Sequence, residues 1–252
     1  MNLVAGFAEL SLAQLALIAG FALCTSVLGG VAGYGTGALM PLVLVPIVGP
    51  EPVVPMIAIS SLLTNGGRAA AFVQFLDWRR GGIILIGAIL PCMLTAYGYT
   101  RLSSAGALLV IGSMLIASVP LRRLLLRHAN GLGDRGLFVA GIGYGAVVGG
   151  TTGAGIILLS LLMAAGLTGA AVVATDAAIS IVISVFRVSV FGITGIVSAQ
   201  VLAVALLIGL MAFPGAFLAK AVVHRLPIHV HGWILDGVVL LGGATMVLGA
   251  LR

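Results

Sequence analysis

Apolar residues run through this chain in long blocks that show no polar face. Stretches such as 83–94 and 197–210 are apolar on every side of a helix and on both faces of a strand. A hydrocarbon core about 30 Å thick takes about 20 apolar residues to cross as a helix. A membrane barrel strand instead needs about ten residues of alternating polarity, and that alternation is missing. The pattern predicts ten helical segments, at 11–31, 37–48, 52–75, 81–99, 103–125, 136–149, 155–166, 168–191, 196–219 and 228–251. The second, sixth and seventh are too short for ordinary spans and border glycine-rich breaks. These are Gly29, Gly30, Gly33, Gly35 and Gly37 in the first half, and Gly149, Gly150, Gly153 and Gly155 in the second. Each break predicts a helical hairpin.

Composition sharpens this picture. Of 252 residues, 61% are hydrophobic and 7% charged, against about a quarter charged in soluble domains. A soluble fold has no means of hiding that much apolar surface. The 37 glycines disfavour soluble helices, but in membranes small residues let helices approach closely. Cys24 and Cys92 lie in apolar stretches without metal or CxxC spacing and read as two buried thiols. Residues 1–10 hold Glu9 and no Lys or Arg, so a cleaved signal peptide is not expected.

The two halves resemble each other. Gly35-Thr36-Gly37 is followed by a helix carrying Ser61, Asn65 and Arg68; Gly153-Ala154-Gly155 is followed by one carrying Ser180, Ser184 and Arg187, at an offset of about 119 residues. The expected fold is all-α: a polytopic membrane helical bundle of two inverted repeats, 1–128 and 129–252, in one membrane domain. Each repeat would hold a Gly-broken hairpin plus three transmembrane helices. If a hairpin returns to its starting side, each half crosses an odd number of times and the second half is upside down. Arg79, Arg80, Arg122, Arg123, Arg127, Arg135, Lys220 and Arg225 then share one side, and Arg101 and Arg252 the other. The positive-inside rule makes the first side cytoplasmic and puts both termini outside. With the net charge of +6 assigned in this way to helix ends, and no soluble domain to form a groove, nucleic acid is not an expected partner.

Arg68 and Arg187 are the basic residues left inside the membrane, and the repeat superimposes them. A guanidinium there is costly and normally faces a cavity or a partner. Ser61, Asn65 and Arg68 fall within an arc of about 60°, and Asp176, Ser180, Ser184 and Arg187 within about 80°. Each helix therefore carries one polar stripe, read as a substrate-binding face or as hydrogen bonds to neighbouring helices. Arginine stays charged and matches oxyanions bidentately. Half-helix N-termini opened by Gly37 and Gly155 favour negative charge. The candidate binding set is therefore Arg68, Arg187, Asn65, Ser61, Ser180, Ser184, Gly35, Gly37, Gly153 and Gly155, for a small anion near the midplane. Asp176 reads as a proton carrier, a helix cap or a local hydrogen-bonding partner. Contact with Arg187, about 16 Å along the same helix, would need strong bending. Asp236 reads as interfacial. His224, His229 and His231 lack a carboxylate at ligand spacing, so neither a metal site nor a cofactor is expected.

The segment Gly29-Gly30-Val31-Ala32-Gly33-Tyr34-Gly35-Thr36-Gly37 leading to Pro41, the later Ser60-Ser61 with Asn65, and the second copy from Gly145 to Gly155 resemble the sulfite exporter (TauE/SafE) family of membrane transporters. The resemblance spans essentially the whole chain. It implies movement of sulfite or organosulfonates across the bacterial cytoplasmic membrane. Two positions depart from it: Leu159 or Ser160 stands where the family often has Pro, and Ser184 replaces Asn.

The reading is a secondary transporter working by alternating access, with an anion channel or facilitator, or proton-coupled uptake of another small organic anion, as alternatives. One charge crossing 100 mV is worth about 2.3 kcal/mol, so a monovalent anion leaves a negative cytoplasm downhill and uptake needs a coupled cation. No HExxH, P-loop or buried Ser/His pair is present, so an enzyme is not expected. Lipid and the anion are the expected partners, with a second copy of the chain as a candidate homodimer.

Overall fold

The structure, a computed structural model, describes residues 3–32, 35–127, 131–222 and 228–251. Side chains are described over the same residues except 3–4, 28–32, 35, 122–123, 125–127, 216–217, 219–222 and 228–235. Among the described residues the chain is helical throughout: α1 Leu3–Ala8, α2 Leu12–Ala32, α3 Gly35–Val48, α4 Val53–Phe72, α5 Trp78–Tyr99, α6 Ser104–Arg127, α7 Asp134–Val148, α8 Gly155–Ala164, α9 Gly169–Ile193, α10 Ala199–Val222 and α11 Ile228–Ala250. A 3-10 turn, Val73–Phe75, prolongs α4. Among the described residues four spans are long and apolar enough to cross a membrane: Val53–Phe75, Trp78–Tyr99, Ser104–Leu121 and Gly169–Ile193. The bundle is a polytopic membrane fold.

Every apolar block forms a helix, and the differences lie at the ends. The short α1 was not expected; it packs on α10, where a Cβ on Gly6 would come within 2.5 Å of the Ala199 carbonyl oxygen. Helix α3 opens at Gly35, two residues before the expected start at Gly37. Helix α5 opens at Trp78 because Asp77 caps it: its carboxylate accepts from the Arg80 backbone N–H at 2.9 Å and from the Arg80 guanidinium at 3.0 Å. Arg79 and Arg80 therefore belong to the first turn of a helix, not to a loop. Likewise α6 runs on to Arg127, which puts Arg122, Arg123 and Arg127 in its last turns. Asp236 is buried within α11, and Cys24 is exposed, not buried as expected, while Cys92 is buried.

The helices pair across the halves. Helix α7 packs along α5 and α2 along α10; α4 meets α9, and α6 meets α11. Helix α4 also touches α10, and α5 touches α9. Moving each element by 119 residues turns α2 into α7, α3 into α8, α4 into α9, α5 into α10 and α6 into α11, and maps these pairings onto one another. The first arm of each hairpin thus rests on a helix from the opposite half.

Close approach explains the tightest of these contacts. Gly141, Gly145 and Gly149 recur at every fourth residue of α7, one turn apart, and face Ile84, Ala88 and Cys92 of α5. A Cβ on Gly141 would lie 2.6 Å from the Ile84 carbonyl oxygen, and those on Gly145 and Gly149 would overlap the carbonyl oxygens of Ala88 and Cys92. The matching order makes α5 and α7 parallel. At their shared start Arg79 bonds Asp134 at 2.7 Å. With no hydrophobic effect to drive association inside lipid, such backbone proximity supplies the dispersion contacts that join the helices. The opposite stripe of α5, Ile86, Leu90 and Leu94, is about two-thirds exposed at 73%, 66% and 64%, as a lipid-facing surface requires.

Gly145→Val forces backbone apart and is expected to destabilise the bundle by at least about 1–3 kcal/mol, whereas Gly143→Ala, with open space around its Cβ, stays within about 0.5 kcal/mol. Thermal unfolding in detergent reads both. Hydrogen bonds from Arg80 hold the exposed-end carboxyl of Asp77 below its usual range, backbone N–H first. A depressed folded value means that its contribution is present above the ordinary carboxylate range and is lost as pH falls through the folded value. Asp77→Ala should therefore cost about 1 kcal/mol near neutral pH, and the gap from wild type should close at acid pH.

Candidate functional site at the α4–α9 crossing

Helices α4 and α9 cross antiparallel. Near the middle of the crossing the Ser61 and Ser184 hydroxyls hydrogen-bond at 2.5 Å. Towards the Arg79–Asp134 end, the Arg68 guanidinium pairs with the Asp176 carboxylate at 3.1 Å. Asn65 steadies that arginine: its side-chain carbonyl accepts from Arg68 at 3.1 Å while its amide donates to the Ser61 carbonyl at 3.0 Å. The partner of Asp176 is therefore an arginine on the facing helix, and not Arg187 eleven residues further along its own. The second carboxylate oxygen of Asp176 is buried without a hydrogen-bond partner.

Arg187 stands one turn beyond Ser184, towards the opposite end, and is 5% exposed. Its terminal NH2 donates to the Thr151 carbonyl at 2.9 Å, and its Nε is buried without a partner. Among the described residues no carboxylate lies within ion-pair distance of it; Cys92, Tyr144 and Tyr99 are its titratable neighbours. Phe191, four residues on, meets Tyr99 edge to face with centroids 6.3 Å apart, and the Tyr99 hydroxyl donates to the Pro50 carbonyl at 2.8 Å. The two arginines consequently do not converge on one point: the pair holding Arg68 lies about 16 Å along α9 from Arg187.

The glycine breaks do meet. A Cβ on Gly37 would lie 3.4 Å from the Gly153 backbone nitrogen, and one on Gly153 would lie 3.3 Å from Ala38 Cα. Gly153 also needs its left-handed φ of +82° to turn the chain into α8. Gly155 starts α8 in the open, with nothing within 4 Å of its Cβ and no side-chain cap ahead of it. In the same break the Thr152 hydroxyl is buried and unpartnered, one residue from the carbonyl that holds Arg187. Gly35 opens α3, and its surroundings lie outside the described residues. Ser180 is half-buried beside Tyr144.

Thr151, Thr152, Tyr144 and Tyr99 escaped sequence reasoning. For the threonines a signal was present, since they are the only side-chain hydrogen-bonding residues between Gly149 and Gly155; for the tyrosines none was. The side chains of His229 and His231, and all of His224, lie outside the described residues. Among the described ones no group of three or more His, Cys, Asp or Glu side chains is placed to hold a metal. A surface cavity of about 540 Å³ near Trp78, Arg80 and Thr168 contains none of the crossing residues.

A Gly-broken pair of hairpins, touching beside a buried arginine, is a whole-chain arrangement, and the whole chain matches a family. Residues 17–246 fit the family described as Sulfite exporter TauE/SafE. The chain belongs to that family. No curated protein and no solved structure matches it significantly. As a TauE/SafE member with this apolar bundle it is a multi-pass membrane transporter, and both of its hairpin breaks and the α4–α9 crossing fall inside the matched region.

The Ser61–Ser184 bond joins the halves at a part-buried point of the crossing. Interhelical hydrogen bonds in membranes average about 0.6 kcal/mol. A double-mutant cycle of Ser61→Ala and Ser184→Ala, read by unfolding in detergent, is expected to return a coupling of about that size; additive effects would mean that the hydroxyls act separately.

Proposed function

We propose that this TauE/SafE protein is a secondary transporter that carries a small sulfur-containing oxyanion, sulfite or an organosulfonate, across the bacterial cytoplasmic membrane by alternating access. The observation that carries the reading is Arg187: a buried guanidinium with an unpartnered Nε and, among the described residues, no carboxylate within ion-pair distance. Within hydrocarbon such a charge needs a counter-ion, and a tetrahedral or pyramidal oxyanion supplies one with lone pairs to spare. The buried Thr152 hydroxyl and the uncapped start of α8 at Gly155 offer further donors on the same side of the crossing.

Residues 1–128 and 129–252 form the two moving units, and the Arg79–Asp134 end faces the cytoplasm, where the positive-inside rule puts it. The crossing between the units is closed: Ser61 and Ser184 are bonded, and Tyr99 packs on Phe191. A closed centre favours a carrier over a continuously open pore. A second copy of the chain is an optional partner in this scheme, because each substrate group belongs to one chain.

In proteoliposomes the wild type should carry sulfite or methanesulfonate in preference to simple carboxylates of similar size. Arg187→Ala removes charge-assisted hydrogen bonds worth about 1.5–3 kcal/mol and should weaken apparent affinity by about 10- to 150-fold. Arg187→Lys, which keeps the charge but not the fork, should recover part of the loss. Unchanged transport in Arg187→Ala would remove the proposed site.

A further inference from the structure

The two arginines differ in one respect that the repeat does not dictate. Arg68 has Asp176 as its counter-ion at 3.1 Å. The position 119 residues before Asp176 is Ile57, so Arg187 has no equivalent. The carboxylate on α9 therefore already occupies the guanidinium on α4 that an anion moving through the crossing would meet next. It does so with one oxygen, leaving the other buried and unpartnered. The Asp176 side chain is 4% exposed, while that of Arg68 is 32% exposed, so the arginine has an open side from which an anion can approach.

We propose that Asp176 is a proton carrier which exchanges with the transported anion for Arg68, so that one proton travels with each monovalent anion. Resting on the anion-transport reading above, the argument is one of charge in hydrocarbon. With Asp176 ionised and Arg68 bound to it, the pair is neutral. With Asp176 protonated and an oxyanion on Arg68, the set is neutral again. Once the anion has passed from Arg187 to Arg68, its arrival without a proton leaves the Arg68–Asp176 set with a net negative charge, and a proton without an anion leaves that set with a net positive one; both are costly where the dielectric is low. The two ligands therefore bind together. On protonation, the unpartnered Asp176 oxygen no longer carries buried charge, and the Arg68 fork turns to the anion while Asn65 continues to hold it from behind.

Few other groups can take the proton. Among the described residues, the charged or titratable side chains around Asp176 are Arg68 of α4 and Tyr144 of α7, with the Asp77–Arg80 pair at the start of α5 reaching the neighbouring Thr175 through the Asp77 N–H. Helix α8, also packed on α9, contributes no titratable side chain. Arg68 stays protonated, Tyr144 is a phenol buried on α7, and Asp77 is already bound to Arg80 at the end of the bundle. Asp176 is left as the carboxylate at the crossing.

The test uses the purified full chain in proteoliposomes and whichever of sulfite or methanesulfonate the wild type carries. An outside-acid gradient of one pH unit should sustain about a tenfold inward accumulation of the anion, unaffected by clamping the voltage at zero with potassium and valinomycin. A pH dye inside the vesicles should report about one proton per anion. In Asp176→Asn the accumulation should fall to the level seen without a gradient, and the remaining flux should follow the voltage. Wild-type vesicles that move the anion without moving protons would overturn the proposal, as would Asp176→Asn vesicles that still accumulate about tenfold. The dye measurement needs no variant, so a misfolded Asp176→Asn does not rescue the idea. Failure of the underlying reading looks different: no member of the anion panel is carried, or Arg187→Ala changes nothing.

Discussion

A charge inside hydrocarbon must be answered by something other than water, and the arrangement of this bundle follows from how its two central guanidinium groups are answered. Arg68 has a carboxylate from the facing helix and an amide from its own. Arg187 has a backbone carbonyl from the second glycine break, with Cys92, Tyr144 and Tyr99 as its titratable neighbours. The crossing of α4 and α9 is the place where both halves contribute to these solutions. Removing either helix would leave the other with buried polar groups and no partners.

Helix packing makes that crossing possible. Because α7 lies against α5 and α2 against α10, neither half closes around its own hairpin. The backbone contact of Gly141, Gly145 and Gly149 with α5 fixes α7, and α7 in turn delivers Thr151 and Thr152 to Arg187. On the other side of the pair, the touch between Gly37 and Gly153 sets the depth at which the two hairpins end. Small residues thus determine where the charged ones stand, at a range of several ångströms and through main-chain geometry. Any movement of one half against the other rearranges the polar bonds that cross between them, among them Arg68 to Asp176, Ser61 to Ser184, Arg79 to Asp134, the Asp77 N–H to Thr175 and Ser26 to the Ala212 carbonyl.

Much of this was readable before any coordinates. Apolar blocks gave ten of the helices to within a few residues, because a helix crossing lipid needs both length and uniform hydrophobicity. The offset of 119 residues pointed to α4 and α9 as counterparts, and their polar stripes were visible at helical spacing. Helix ends were less legible. Asp77 extends α5 backwards over Trp78 through a cap, a local bond that hydropathy does not register, and α6 continues through three arginines. Exposed Cys24 was misplaced for a related reason: an all-apolar helix carries no periodic sign of which face turns inward.

The sequence by itself determined that this chain is a membrane bundle, where its helices break, and which polar residues lie inside, since each of those follows from composition and spacing along one strand of chain. The tertiary structure decided who answers whom. Asp176 could have served Arg187 on its own helix, yet eleven residues of rise separate them, while the antiparallel crossing brings Arg68 from the other half to 3.1 Å. That choice also separated the two symmetric arginines into one that is neutralised and one that is not. No pattern within a helix encodes it, because it depends on the register of two helices more than a hundred residues apart.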